Sequence, residues 1–184
     1  MIDFCVLGSG ISGSTIANLL SKKYSVEIFD KARGPGGRAS NRRYKRNLSF
    51  DHGVQYISPK DNSFKKFINY LKNKNILKIW DGQHIDLNLL KGHSLKYIGK
   101  KGNNDISKYL LKDIKKRFNS KISKIKFKKS YWQIISNDKT YFFKNLIITC
   151  PYPQLISLSK KYLDKEIIKL KIKMKPNITT MLVF

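Results

Sequence analysis

Apolar residues fall along this chain in two patterns, short unbroken runs and longer stretches with a helical or alternating period. The run 2–7 (Ile-Asp-Phe-Cys-Val-Leu) is mostly apolar and predicts a short, buried strand. Residues 11–22 predict a helix in which Ser14 and Ala17 keep the inner face thin while Ile16, Leu19 and Leu20 reach a core. A second strand is expected at 25–29. A connection rich in glycine and arginine then fills 31–56. Residues 63–75 place Phe64, Phe67, Ile68 and Leu71 on one face of a helix, and 76–80 and 85–90 read as strands. A further helix is expected over 106–117, capped by Asn104 or Asp105. The segments 122–127, 131–135 and 140–143 alternate, and a polar turn at Asn137-Asp138-Lys139 fits an antiparallel meander. Residues 146–150 form a continuous apolar strand of the kind buried in a parallel sheet, stopped by Pro151 and Pro153. A helix over 153–163 and a final apolar segment at 180–184 complete the pattern.

This order predicts an α/β fold in three layers, with a mainly parallel sheet, a β-meander and the start of an inserted α+β region. Residues 1–58 and 98–151 are expected to form one discontinuous domain, with 59–97 and 152–184 belonging to a second, incomplete one. The last residues, Met181-Leu182-Val183-Phe184, read as mid-strand, so the chain is expected to be the first part of something longer. No run of about 18 apolar residues predicts a membrane span. The N-terminus has no basic segment followed by an apolar one, so no secretory leader is expected.

Between the first strand and helix lies Gly8-Ser9-Gly10-Ile11-Ser12-Gly13, the spacing of a dinucleotide-binding loop. Gly8 permits the tight turn, Gly10 lets backbone approach a pyrophosphate, and Gly13 allows close packing of helix on strand. Ile11 and Ser12 open the helix, whose free amides and positive dipole end suit phosphate. Asp30 stands at the end of the second strand, where a carboxylate accepts from ribose hydroxyls, with Lys31 beside it. Glu27 is a rival acid but lies inside the strand. The fold is therefore expected to be Rossmann-like. The glycine loop alone suits NAD or FAD, and the following Arg33-Gly34-Pro35-Gly36-Gly37-Arg38 points to FAD.

Composition changes this picture little. Cys5 and Cys150 sit in expected buried strands and read as free thiols of a reducing cytoplasm. His52, His84 and His93 have no metal-ligand spacing, so no metal site is expected. The net charge of +26 comes almost wholly from lysine. Those lysines are scattered rather than blocked, which favours a solvated surface over a nucleic-acid or other polyanion site.

The block D-K-A-R-G-P-G-G-R-A-S-N-R-R from Asp30 and F-D-H-G-V-Q-Y ending at Tyr56 resemble the renalase-like branch of the flavin amine-oxidase superfamily. Softer matches follow at Tyr97-Ile98-Gly99, Tyr131-Trp132, 145–153 and 174–184. The resemblance implies a longer protein whose remaining part completes the substrate domain and adds a later Gly-Asp flavin segment. It implies FAD, with Gly36, Gly37 and Arg38 over its pyrophosphate and ribityl chain. Gly53, Val54, Gln55 and Tyr56 would pass beside the isoalloxazine ring, Ile122 would contact adenine through its backbone, and Thr149 with Pro151 would close the site. Core packing explains Ile122 and Thr149 equally well, Arg42 and Arg43 are as readily solvated, and His52 stays open between structural and catalytic roles. The implied substrate is a reduced pyridine nucleotide, a dihydropyridine isomer of NAD(P)H, oxidised with transfer of electrons to oxygen. That chemistry needs positioning rather than a strong base, so no catalytic residue is assigned. An amine oxidase or desaturase-like flavoenzyme is the alternative enzyme. A basic FAD-fold remnant that binds nucleic acid or a partner is the non-enzymatic one. The chain alone is expected to bind FAD poorly and turn nothing over.

Overall fold

The computed structural model describes residues 1–45, 48–81, 95–170, 172–176 and 178–180. In chain order the elements are β1 (Ile2–Leu7), α1 (Ile11–Leu20), β2 (Val26–Phe29), β3 (Asn41–Lys45), β4 (Leu48–Asp51), α2 (Asn62–Asn73), β5 (Leu77–Ile79) and β6 (Tyr97–Gly99). There follow α3 (Asp105–Leu110), β7 (Lys115–Arg117), β8 (Ile122–Lys128), β9 (Tyr131–Ser136), β10 (Lys139–Ile148), α4 (Tyr152–Ser159) and α5 (Lys165–Lys169). One six-stranded sheet runs in the order β7-β2-β1-β10-β9-β8. Its first four strands are mutually parallel, whereas β9 pairs antiparallel with both β10 and β8.

Alternation along β1 divides the interior. Val6 packs with Ala17, Val26, Ile28, Leu111 and Ile114, a cluster that joins the sheet to α1 and the α3 segment. Cys5 and Leu7 face the other way, with Phe29, Ile125, Ile134 and Phe143. Phe29 in β2 and Ile125 in β8 share this cluster although three strands separate them in the sheet. The meander therefore folds back over the parallel face, which gives the expected three layers. A third cluster joins α2, β5, β6 and α3 through Ile68, Leu71, Leu77, Tyr97, Ile106 and Leu110. It reaches the partly buried Ile11 at the start of α1.

Four expectations are corrected. The helix expected over 106–117 ends at Leu110, and Lys115–Arg117 instead add a parallel edge strand beside β2. Glu27 explains the change: buried in β2, it places Oε1 2.6 Å from Lys115 Nζ and Oε2 2.6 Å from Arg117 Nε, contacts a continued helix would forfeit. Of the two residues expected to cap α3, Asn104 holds the N-cap position but neither side chain caps the helix. Asn104 makes no side-chain cap bond, while Asp105 Oδ2 accepts from Lys101 N at 2.7 Å. The segments expected as separate strands at 140–143 and 146–150 are one strand, β10, antiparallel to β9 in its first half and parallel to β1 in its second. Cys150 lies just beyond that strand and is only partly buried.

Leu19, expected to reach the core, is 53% exposed, while the remaining helices and turns lie close to where they are expected. Asp61 starts α2 by accepting from the amides of Ser63 and Phe64 at 2.9 and 3.0 Å. The turn at Asn137 and Asp138 carries positive φ at both residues (45° and 59°), as a tight two-residue hairpin requires. The helix after Pro151 spans Tyr152–Ser159, then tightens into a 3₁₀ turn at Lys160–Tyr162. The strand expected at 85–90, His84, His93 and the final 181–184 lie outside the described residues.

Candidate functional site

Three glycine-bearing segments meet at the carboxyl end of β1. Gly8 turns the chain with φ 101°, a value that disfavours any side chain. A Cβ on Gly13 would stand 1.9 Å from Gly8 O and 2.7 Å from Thr149 Oγ1, so only glycine lets α1 seat on the turn. Gly36 N donates to Ser9 O at 2.9 Å, and Gly10 and Gly36 form a parallel bridge. Gly37 (φ 55°) approaches so closely that its own Cβ would meet Gly10 Cα at 3.0 Å. The third segment is fixed by Val54 N, which donates to Arg38 O at 3.1 Å. A Cβ on Gly53 would lie 1.9 Å from that same oxygen.

Around Gly10 itself the packing is looser. A Cβ there would find nothing nearer than Gly37 Cα at 3.8 Å. No side chain caps α1, so the amides of Ile11, Ser12 and Gly13 have no intrahelical acceptor. The guanidinium of Arg38 is exposed and makes no ion pair among the described residues. Loop amides, a helix N-terminus and an exposed guanidinium are the kinds of group that suit an anion.

Asp30 sits where the sequence places it, but its carboxylate serves the loop. Oδ2 accepts from Ser9 N at 2.7 Å and Ser9 Oγ at 2.6 Å, and Oδ1 accepts from Ala32 N at 2.8 Å. Glu27 points into the interlayer core instead. Burial pushes its carboxyl up, but the bonds and charges of Arg117 and Lys115 outweigh this and hold the pKa below the ordinary value. Lys31 is exposed, and its charge is felt at Cys150. Burial pushes both thiols up, Cys5 most, so neither is a ready nucleophile.

Thr149 is in the loop cluster. Its hydroxyl stands 2.9 Å from Leu7 O and 3.1 Å from Gly8 O, donating to the end of β1 just as the loop begins. Ile122 lies farther away, packed against the Cys5–Phe29 cluster, although Ser120 N donates to Asp30 O at 2.8 Å nearby. Gln55 is exposed. Tyr56 stacks on Trp80 with ring centroids 5.4 Å apart, and Lys96 Nζ lies 4.4 Å from the Tyr56 ring centre. His52 Nε2 is 3.4 Å from Ser40 Oγ, while its buried Nδ1 has no partner.

Two residues matter that the sequence reading took only as caps or passed over. Asn103, fully buried, accepts from Gly99 N at 2.8 Å and donates to Val54 O at 2.7 Å and Gln55 O at 3.1 Å. Its own amide donates to Asp51 Oδ1 at 2.9 Å. Asn104 lies against Gly36, within 2.7 Å of where a Cβ would stand, and its buried Oδ1 has no partner. Two consecutive asparagines after a glycine give only a turn signal in sequence. Apart from Gly99, their partners come from segments about 50 or more residues distant, which no local pattern reveals.

Residues 6–71 match the family described as NAD(P)-binding Rossmann-like domain. The fold is Rossmann-like. An uncharacterized protein of Methanocaldococcus jannaschii is 30% identical over 83 residues, which is 44% of this chain and 22% of that relative. Among solved structures, a candidate protoporphyrinogen oxidase from Exiguobacterium sp. superposes with a TM-score of 0.69 at 8% identity, covering 91% of this chain and 63% of that one. A putrescine oxidase variant redesigned in cofactor binding gives 0.67 at 12% identity, covering 92% and 62%. The chain thus spans less than two thirds of each of these proteins, and at such identities the likeness speaks for the Rossmann-like fold. No described helix is long and apolar enough to cross a membrane.

Proposed function

We propose that the loops around Gly10 bind FAD and that the protein is a flavin-dependent oxidoreductase of renalase type. Its substrate would be a dihydropyridine isomer of NAD(P)H. The observation that carries this is the meeting of Gly10 with Gly36 and Gly37, with open space beside Gly10 and a helix start, α1, whose amides no side chain caps. The residues suit the cofactor: that cradle and Arg38 suit a pyrophosphate, and the orphaned Asn104 Oδ1 offers an acceptor to a ribityl hydroxyl. Asp30 has roughly one acceptor position left beyond its three loop bonds, enough for a ribose hydroxyl. Gly53 to Tyr56, tied to Arg38 and Asn103, would hold the edge of the flavin ring, with Ile122 and Thr149 at the margins of the site.

When bound, FAD supplies the hydride acceptor and passes electrons on to oxygen as peroxide. The chain's own residues then bind, orient and exclude water, and none is needed as a strong base. Residues 1–58 and 98–151 would form the cofactor domain, and 59–97 and 152–184 would begin the substrate domain. Two free thiols fit a reducing cytoplasm.

The test is purification with FAD of the product of the whole reading frame that carries this chain, followed by peroxide assays with dihydropyridine isomers of NAD(P)H and, separately, with putrescine. Bound flavin and peroxide from the dihydropyridines are expected. Flavin with peroxide from the amine alone would move the substrate to the amine class, and no flavin binding would end the proposal.

A further inference from the structure

The scattered lysines of the sequence are gathered by the meander. Between Asp113 and Asp138 the chain carries no acidic residue. Along β8, Ile125 enters the core while Lys124, Lys126 and Lys128 alternate onto the opposite, outer face. Such residues two apart on a strand recur about every 6.7 Å. Their cross-strand partners are Ile135, Gln133 and Tyr131, so no carboxylate neutralises them. Phe142, beside Gln133 on β10, is 48% exposed and meets Tyr131 edge-on with centroids 5.7 Å apart. Gln133, between Lys126 and Phe142, has a buried Oε1 without a partner. Lys124 also lines a cleft of about 340 Å³ together with Lys160 and Lys161.

We propose that this outer face binds single-stranded nucleic acid, independently of any flavin site. A surface that serves solubility alone mixes both signs of charge, whereas this lysine row lies in a stretch without acids, beside the exposed ring of Phe142 and the half-buried ring of Tyr131. That pairing is how sequence-tolerant single-strand binders work: ammonium groups track phosphates, bases stack on rings, and a free amide oxygen can accept from a base amino group.

The experiment measures fluorescence anisotropy of labelled dT20 and rU20 with the full chain. If three phosphates are engaged, affinity should fall roughly 20-fold between 50 and 200 mM salt. The triple variant K124E/K126E/K128E should lose at least tenfold, while K65E/K66E/K72E on exposed positions of α2, with the same net charge, should lose little. The pair Y131L/F142L keeps apolar strand residues and should weaken binding severalfold by removing stacking, with thermal melting confirming that each variant folds. Equal losses from the two charge variants would show diffuse attraction and overturn the proposal. So would undiminished binding by Y131L/F142L together with equally tight heparin binding, since any polyanion would then serve.

Discussion

Asn103 holds Val54: its buried side-chain amide donates to the Val54 carbonyl at 2.7 Å, while its oxygen accepts from Gly99 N at 2.8 Å. The segment expected to lie along a flavin ring is therefore fixed from behind by the turn that precedes α3. Asn103→Ala leaves Gly99 N and Val54 O unsatisfied in the interior. A loss of about 3 kcal/mol is expected. For a chain this size that lowers Tm by roughly 10 °C, measurable by calorimetry.

The second and third glycines of the loop separate folding from binding. Gly10→Ala meets no atom closer than 3.8 Å, so thermal stability should hardly change. Its methyl would occupy the space proposed for the pyrophosphate, and FAD affinity should fall at least tenfold, about 1.4 kcal/mol, by flavin-fluorescence titration. Gly13→Ala, driven 1.9 Å from Gly8 O, should fail to fold. Gly34, with nothing within 4 Å of a Cβ, is the silent control.

Arg38→Ala removes an exposed, unpaired guanidinium and should leave the melting curve in place. FAD binding should weaken by about 1.5–3 kcal/mol, the range for a hydrogen bond to a charged group. Arg38→Lys should recover only part, because an ammonium cannot make the two-pronged contact. Equal FAD affinity in all three proteins would remove Arg38 from the site.

Glu27 sets an acid limit on stability. Its folded pKa is depressed, so its contribution is fully present above the ordinary value of 4.5 and fades as pH falls through the lower folded value. Glu27→Gln should cost roughly 1.5–3 kcal/mol at neutral pH. Urea melts from pH 7 to pH 3 should show the gap between variant and parent closing below about pH 4.5.

Thr149→Val keeps shape and removes one hydroxyl. About 1 kcal/mol of stability should be lost. FAD affinity should also fall, since Gly8 O loses its hydroxyl donor where the loop begins, while Leu7 O keeps only the amide of residue 149. A binding titration that matches the parent would confine Thr149 to packing.

What could be read in advance was local. Gly8, Gly10 and Gly13 announce their turn because the strand before and the helix after carry their own periodicities, and Asn137-Asp138 announces its hairpin by turn chemistry. The course of 111–117 could not be read, because Leu111 and Ile114 fit a helical stripe equally well. Only the burial of Glu27 within β2, facing Lys115 and Arg117, decides for a strand there. Asn103 and Asn104 stayed silent for a related reason. Their meaning lies in carbonyls and glycines brought to them by the fold, and a residue window contains no trace of such partners.

β10 has one further consequence. A single strand runs from the hairpin at Asn137 and Asp138, through the meander, to Ile148 beside Leu7, and Thr149 comes next. Strand pairing admits only whole-residue steps, and a slip of one would bring Ile148 or Cys150 to the place of the threonine hydroxyl. The hairpin thus works as a gauge block for the glycine loop at the far end. A one-residue insertion there, remote from every proposed ligand contact, would misalign the loop as surely as a substitution within it.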